Sequence, residues 1–115
     1  MSSDLELSAL IEGLFPEMHR ILNLEIYRVS QDGDLGFVIQ ANFNKIFSIK
    51  ITDVPNLKFY FQLKLDRAEH LNHGYYNEDY IISLNSDTYV AILAGKIAPM
   101  GAFYSKLMTI QKVRE

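Results

Sequence analysis

The residues best suited to chemistry lie in one polar stretch, 69-EHLNHGYYNED-79. His70 and His73 stand three apart with Glu69 and Glu78 nearby, a donor set that could form half of a metal site, because imidazole nitrogens and carboxylate oxygens both ligate zinc. Histidine, carboxylate and glycine mixed in one polar stretch are more often a solvated connection, and a loop without metal is the reading adopted. The usual signatures of catalysis are missing: the sequence has no G-x-S-x-G elbow, no HExxH, no glycine-rich phosphate loop and no cysteine. Asp53, Asp66 and Asp79 fall at the ends of expected strands, where aspartate commonly serves turns. The expectation is a protein that binds rather than catalyses, with no catalytic residue and no cofactor.

A chain of 115 residues suits one domain, and at this size roughly two thirds of the unfolded surface can be buried, enough for one core. Hydrophobic residues make up 49% and charged residues 22%, an ordinary globular balance. With 11 Lys+Arg against 14 Asp+Glu, the net charge is -3, which gives no broad attraction to phosphates. Nucleic acid is therefore not an expected partner, and membrane contact is expected to be transient at most. The absence of cysteine removes disulfides and thiolate chemistry and fits a reducing compartment. The opening MSSDLELS is acidic where a signal peptide needs a basic segment. No apolar run approaches the roughly 20 residues that span a bilayer, so a cytoplasmic protein is expected.

These residues must be positioned by helices and strands, and the apolar pattern predicts where they lie. Ser3 with Glu6 forms a capping-box pattern, and Leu7, Leu10, Ile11, Leu14, Met18, Ile21 and Leu22 recur at helical spacing. Pro16 is expected to kink or restart this first helix. The turn residues Asp32-Gly33-Asp34 between 24-LEIYRV-29 and 35-LGFVIQANF-43 predict a hairpin. Then 45-KIFSIKI-51 alternates, with Phe47, Ile49 and Ile51 on one face and Ile46, Ser48 and Lys50 on the other. After Asp53-Val54-Pro55-Asn56, the segment 57-LKFYFQLKL-65 puts Phe59, Phe61, Leu63 and Leu65 on one face. The result is a sheet with one dry and one wet face.

A further strand is predicted at 79-DYIISLN-85, and Ser86 is expected to cap a helix that Gly95 ends. Pro99 suits the first turn of another short helix reaching about Tyr104, and 107-LMTIQKV-113 reads as a last strand. Ser105-Lys106-Leu107 would be a peroxisomal address at a terminus, but eight residues follow it.

The order of these C-terminal elements resembles the sterol carrier protein type 2 family. The resemblance rests on the strand Asp79 to Leu84, the Ser86-Asp87 helix start, and the corner Gly95-Lys96-Ile97-x-Pro99-x-x-Ala102-Phe103-Tyr104-Ser105 followed by Lys106-Leu107. Upstream, 46-IFSIKITDVP-55 and the aromatic strand after it look like the first hairpin of that family, so the likeness spans roughly residues 45 to 110. It implies an α+β domain over residues 1–115: an N-terminal helix and a mostly antiparallel sheet of about five or six strands, with helices packed on one face to enclose an apolar cavity.

The resemblance also implies a site. Phe47, Ile49, Phe59, Phe61, Ile82 and Leu84 would form the sheet wall of that cavity, and Ile92, Leu93, Met100 and Phe103 would face them from the helices. Alternation alone implies only that these side chains are buried. The implied ligand is a lipid, fatty acyl or polyprenyl-type molecule. This sequence departs from the family pattern where Ser105 runs straight into Lys106 without the usual glycine. It also ends at Glu115, where many members continue into a final amphipathic helix. That second departure leaves an alternative, an interaction module whose open groove is filled by a partner protein or by a second copy in a homodimer.

Overall fold

The computed structural model describes residues 2–55, 57–71 and 76–113, with side chains from Glu6 onward. Two helices open the chain, α1 (Ser2–Gly13) and α2 (Phe15–Ser30). Pro16 sits in the first turn of α2, so the expected restart at this proline is observed. Helix α1 begins at Ser2, and the Ser3 part of the expected capping box lies outside the described side chains.

The predicted hairpin over residues 24–43 is not there. Helix α2 continues through the first of its strands, and α3 (Gly36–Ala41) replaces the second. The physical reason is the period. Phe15, Met18, Leu22 and Ile26 lie in or against the core at steps of three and four, which sustains a helix where Leu24 to Val29 taken alone resemble a strand. The Asp32 carboxylate is a turn former, but it accepts from the N–H groups of Asp34 (2.8 Å) and Leu35 (2.9 Å) and leads into α3 rather than joining strands.

Asn44, at φ 67°, then turns the chain into the sheet, a left-handed conformation that asparagine tolerates better than most residues. The sheet comprises β1 (Ile46–Ile51), β2 (Lys58–Leu63), β3 (Ala68–Leu71), β4 (Tyr80–Leu84) and β5 (Met108–Lys112). Its spatial order is β3-β2-β1-β4-β5, with β1 and β4 parallel and every other pair antiparallel. This is the expected α+β architecture.

Glu69 and His70, expected in a loop, lie on edge strand β3, with His70 opposite Phe61. The strand is held from α2. Asn23 Oδ1 accepts from Ala68 N–H at 2.7 Å, and His19 Nε2 lies 2.7 Å from the Ala68 carbonyl, so the free edge has side-chain partners. Leu65 lies beyond the end of β2 and is exposed, contrary to its expected inward place.

Helices α4 (Ser86–Leu93) and α5 (Pro99–Tyr104) follow β4. The cap of α4 is Asn85 rather than Ser86, with its side chain accepting from Thr88 N–H at 2.8 Å. Ser86 instead donates to Asp53. Gly95 ends α4 at φ 74°, with Lys96 N–H on Ala91 O (2.9 Å) and Gly95 N–H on Ile92 O (3.1 Å).

Candidate functional site

The register of the sheet arranges its inner face in three rows. Met108, Leu84 and Ile51 form one; Ile110, Ile82, Ile49 and Phe59 the next; Lys112, Tyr80, Phe47, Phe61 and His70 the third. Helix α2 covers the β2 and β3 side, where Phe15 stacks on Phe59 with ring centroids 4.0 Å apart. Helices α4 and α5 supply Tyr89, Ile92 and Ala102 to the same core. The rows differ in cover: Ile51 and Leu84 are 1% and 4% exposed, whereas Ile110 at the β5 edge is 41% exposed.

Between the sheet and the helices lies an apolar cavity of about 40 Å³, lined by Met18 and Leu22 of α2, Ile49, Ile82, Leu84 and Met108 of the sheet, Tyr89 and Ile92 of α4, and Pro99. No polar atom faces it. A water molecule takes about 30 Å³ in the liquid, while small-molecule sites run to roughly 300–1,000 Å³. A lipid chain therefore fits only if α2, α4 or α5 moves off the sheet. The Tyr89 hydroxyl points away, donating to the Ile11 carbonyl at 3.3 Å. Burial pushes its phenol well above the ordinary tyrosine range, so it remains neutral at any physiological pH.

Of the ten residues predicted for the cavity, the structure brings Ile49, Ile82, Leu84 and Ile92 together on its wall. Phe59 and Phe61 are buried on the same face but do not line it. Phe59 is under Phe15, and Phe61 joins an aromatic row in which Phe47 stacks on Phe61 at 5.1 Å and on Tyr80 at 4.8 Å. Leu93 and Phe103 pack partly buried against the core, and Met100 is half-buried. Sequence reasoning missed Met18 and Leu22 as wall residues; Tyr89 and Pro99 lie on the helix and turn expected to form the helical wall, although neither they nor Met108 stood among the ten. Met18 and Leu22 carry a signal, their four-residue spacing on the first helix, which by itself indicates only core.

Other recesses are present among the described residues. One of about 640 Å³ lies between the end of α2, α3 and the β2–β3 turn, with Lys64, Asp66, Arg67 and Glu69 among its walls. Another, about 200 Å³, is lined by Ile21, Leu24, Glu25, Arg28 and Pro99. The half-site of His70 and His73, weighed above and not adopted, falls partly outside the described residues. His73 lies outside them, and His70, exposed at the β3 edge of the inner face, stands 4.8 Å from Phe15 and 5.8 Å from His19 between ring centroids.

With this geometry in view, comparison with known proteins places the chain. The profile of the SCP-2 sterol transfer family matches residues 32–112. The chain belongs to that family of lipid-binding domains. Among solved structures it is similar to the UbiJ-SCP2 ubiquinone synthesis protein, with TM-score 0.52 and 9% identity, covering 90% of this chain and 83% of that one. It is also similar to a conserved protein from Thermus thermophilus described as possibly a sterol carrier protein, with TM-score 0.51 and 17% identity, covering 82% of this chain and 66% of that one. At such identities the likeness is one of fold. No curated protein sequence matches this chain. Among the described residues, no helix is long and apolar enough to cross a membrane.

Proposed function

We propose that the chain is a single-domain, non-enzymatic, cytoplasmic carrier of a lipid, fatty acyl or polyprenyl-type molecule, which lodges between the sheet and helices α2, α4 and α5. The observation that carries this reading is the cavity wall, apolar throughout and supplied by three strands and by helices from both ends of the chain, in a member of a sterol transfer family. Burial of hydrocarbon at about 25 cal/mol per Å² is non-directional, so affinity follows chain area and selectivity is broad. The small volume means that the apo form is closed, and part of the binding free energy is spent in parting the helices.

The test is native mass spectrometry of the chain purified without detergent. An extractable apolar adduct, or one acquired on incubation with fatty acids or sterols, supports the carrier reading. A protein that stays empty through both rules it out.

One observation favours a second reading, an interaction module that pairs with a partner or with a second copy. Ile110 lies on the inner face in register with Ile82 yet is 41% exposed, and Leu107, Val113 and Tyr104 near it in sequence are 50%, 47% and 68% exposed. A dimer in the same mass spectra, with the cavity empty, selects this reading.

A further inference from the structure

Pro99 lines both the inner cavity and the outer recess of about 200 Å³. Helix α2 divides its residues between them: Met18 and Leu22 face inward, while Ile21, Leu24, Glu25 and Arg28 face the recess. The seam between α2 and α5 is thus the wall that separates these two spaces at Pro99. One side chain bridges the seam. Glu25 Oε2 accepts from the Met100 N–H of α5 at 3.3 Å, while Oε1 accepts from Arg28 Nε at 2.7 Å and pairs with its second guanidinium nitrogen. The Glu25 side chain is 11% exposed and that of Arg28 62%.

We propose that the α2–α5 seam is the port through which an apolar chain reaches the inner cavity, and that Glu25 is the latch that holds it shut. This rests on the carrier reading and adds its route and the chemistry of the cargo. The recess offers hydrocarbon from Ile21, Leu24 and Pro99 beside a solvent-accessible guanidinium. The ligand that fits both is a single-chain amphiphile with an anionic head. Its tail would pass Pro99, and its carboxylate would replace that of Glu25 at Arg28, releasing Met100 N–H and with it α5. Glu25 is a gating residue and Arg28 a specificity residue for the same site.

The latch is testable without any ligand. In the Glu25→Ala chain, amide exchange of α5 should accelerate by about tenfold relative to α4, as loss of one charge-assisted hydrogen bond implies. Glu25→Gln, which keeps an acceptor for Met100 N–H but not the charge on Arg28, should fall between. Unchanged exchange in α5 for both variants overturns the latch.

The port is tested by stopped-flow uptake of cis-parinaric acid, a fluorescent fatty acid. Association should be about tenfold faster in Glu25→Ala and slowed in Leu24→Trp, which narrows the recess without touching the inner wall. Arg28→Gln should weaken the acid but leave a fluorescent long-chain hydrocarbon unaffected. Uptake at wild-type rates in both Glu25→Ala and Leu24→Trp overturns the port while leaving the carrier reading standing. A wild-type chain that takes up neither the acid nor the hydrocarbon sinks the carrier reading, and the port with it.

Discussion

Phe15 of α2 lies over Phe59 of β2 with ring centroids 4.0 Å apart and planes 12° from parallel. Both residues are buried, at 4% and 8% exposure, and Phe15 also approaches His70 of β3. This contact anchors the N-terminal helices to the sheet and so fixes the roof under which the cavity lies.

Phe15→Ala should therefore destabilise the chain by about 3–5 kcal/mol, the usual cost of removing a buried aromatic ring. Chemical denaturation followed by far-UV circular dichroism measures it. A loss below about 1 kcal/mol would mean that α2 is not held by this stack.

Lys106 follows the C-cap of α5 at φ 64°, with Leu107 N–H on Ala102 O (2.9 Å) and Lys106 N–H on Phe103 O (3.1 Å). That is the same helix ending as at Gly95, made here without glycine. Lys106→Gly should stabilise by about 0.5–1 kcal/mol, because glycine reaches this conformation without steric cost. Thermal denaturation would show the midpoint rising; a fall would contradict this account of the corner.

Asp53 ties the end of β1 to the start of α4. It accepts from Ser86 N–H at 2.8 Å and from the Ser86 hydroxyl, whose hydrogen bond is the main reason its carboxyl is held below the ordinary value of 3.8. The folded pKa is the lower one, so the stabilisation is complete above the unfolded value and is lost as pH falls through the depressed folded value. Asp53→Asn should therefore destabilise at pH 7 and converge with wild type in strong acid. A stability difference that does not change with pH would refute the assignment.

Ser48 is fully buried on the outer face between Tyr60 and Ile81, and its hydroxyl has no hydrogen-bond partner among the described residues. Ser48→Ala removes a desolvated polar group and breaks no bond, so it should be neutral or stabilising by up to about 1 kcal/mol. Urea unfolding decides it. A clear loss of stability would reveal a partner for this hydroxyl.

Four of the five strands, all but β3, were legible in the sequence because their signals are local. Phe47, Ile49 and Ile51 alternate with Ser48 and Lys50, and Phe59 and Phe61 repeat the pattern, so the inward face follows from period two. Gly95 and Pro99 marked the helix ends for equally local reasons. Residues 24–43 mislead because β-branched and aromatic residues beside Asp-Gly-Asp carry strand and turn preferences. The decisive fact is nonlocal: Ile26 continues a stripe begun at Phe15 and needs the sheet beneath it.

The cavity wall was half legible. Ile49, Ile82, Leu84 and Ile92 followed from alternation and family likeness. Phe59 and Phe61 point to the same face but are covered by α2 and by neighbouring rings, and no pattern in the strands reveals which roof lies above each row. Nor does sequence report volume. The gap of about 40 Å³ depends on how closely Met18 and Leu22 approach the sheet.

The most direct test of the central claim is a methyl-resolved NMR titration of the full chain with a long-chain fatty acid, following Met18, Ile49, Ile82, Leu84 and Ile92. The account predicts saturable shifts at these inner methyls, accompanied by amide changes in α2 and α5 as the helices part. Inner methyls that stay still at saturating acid, or shifts confined to the recess beside Lys64 and Arg67, would contradict it.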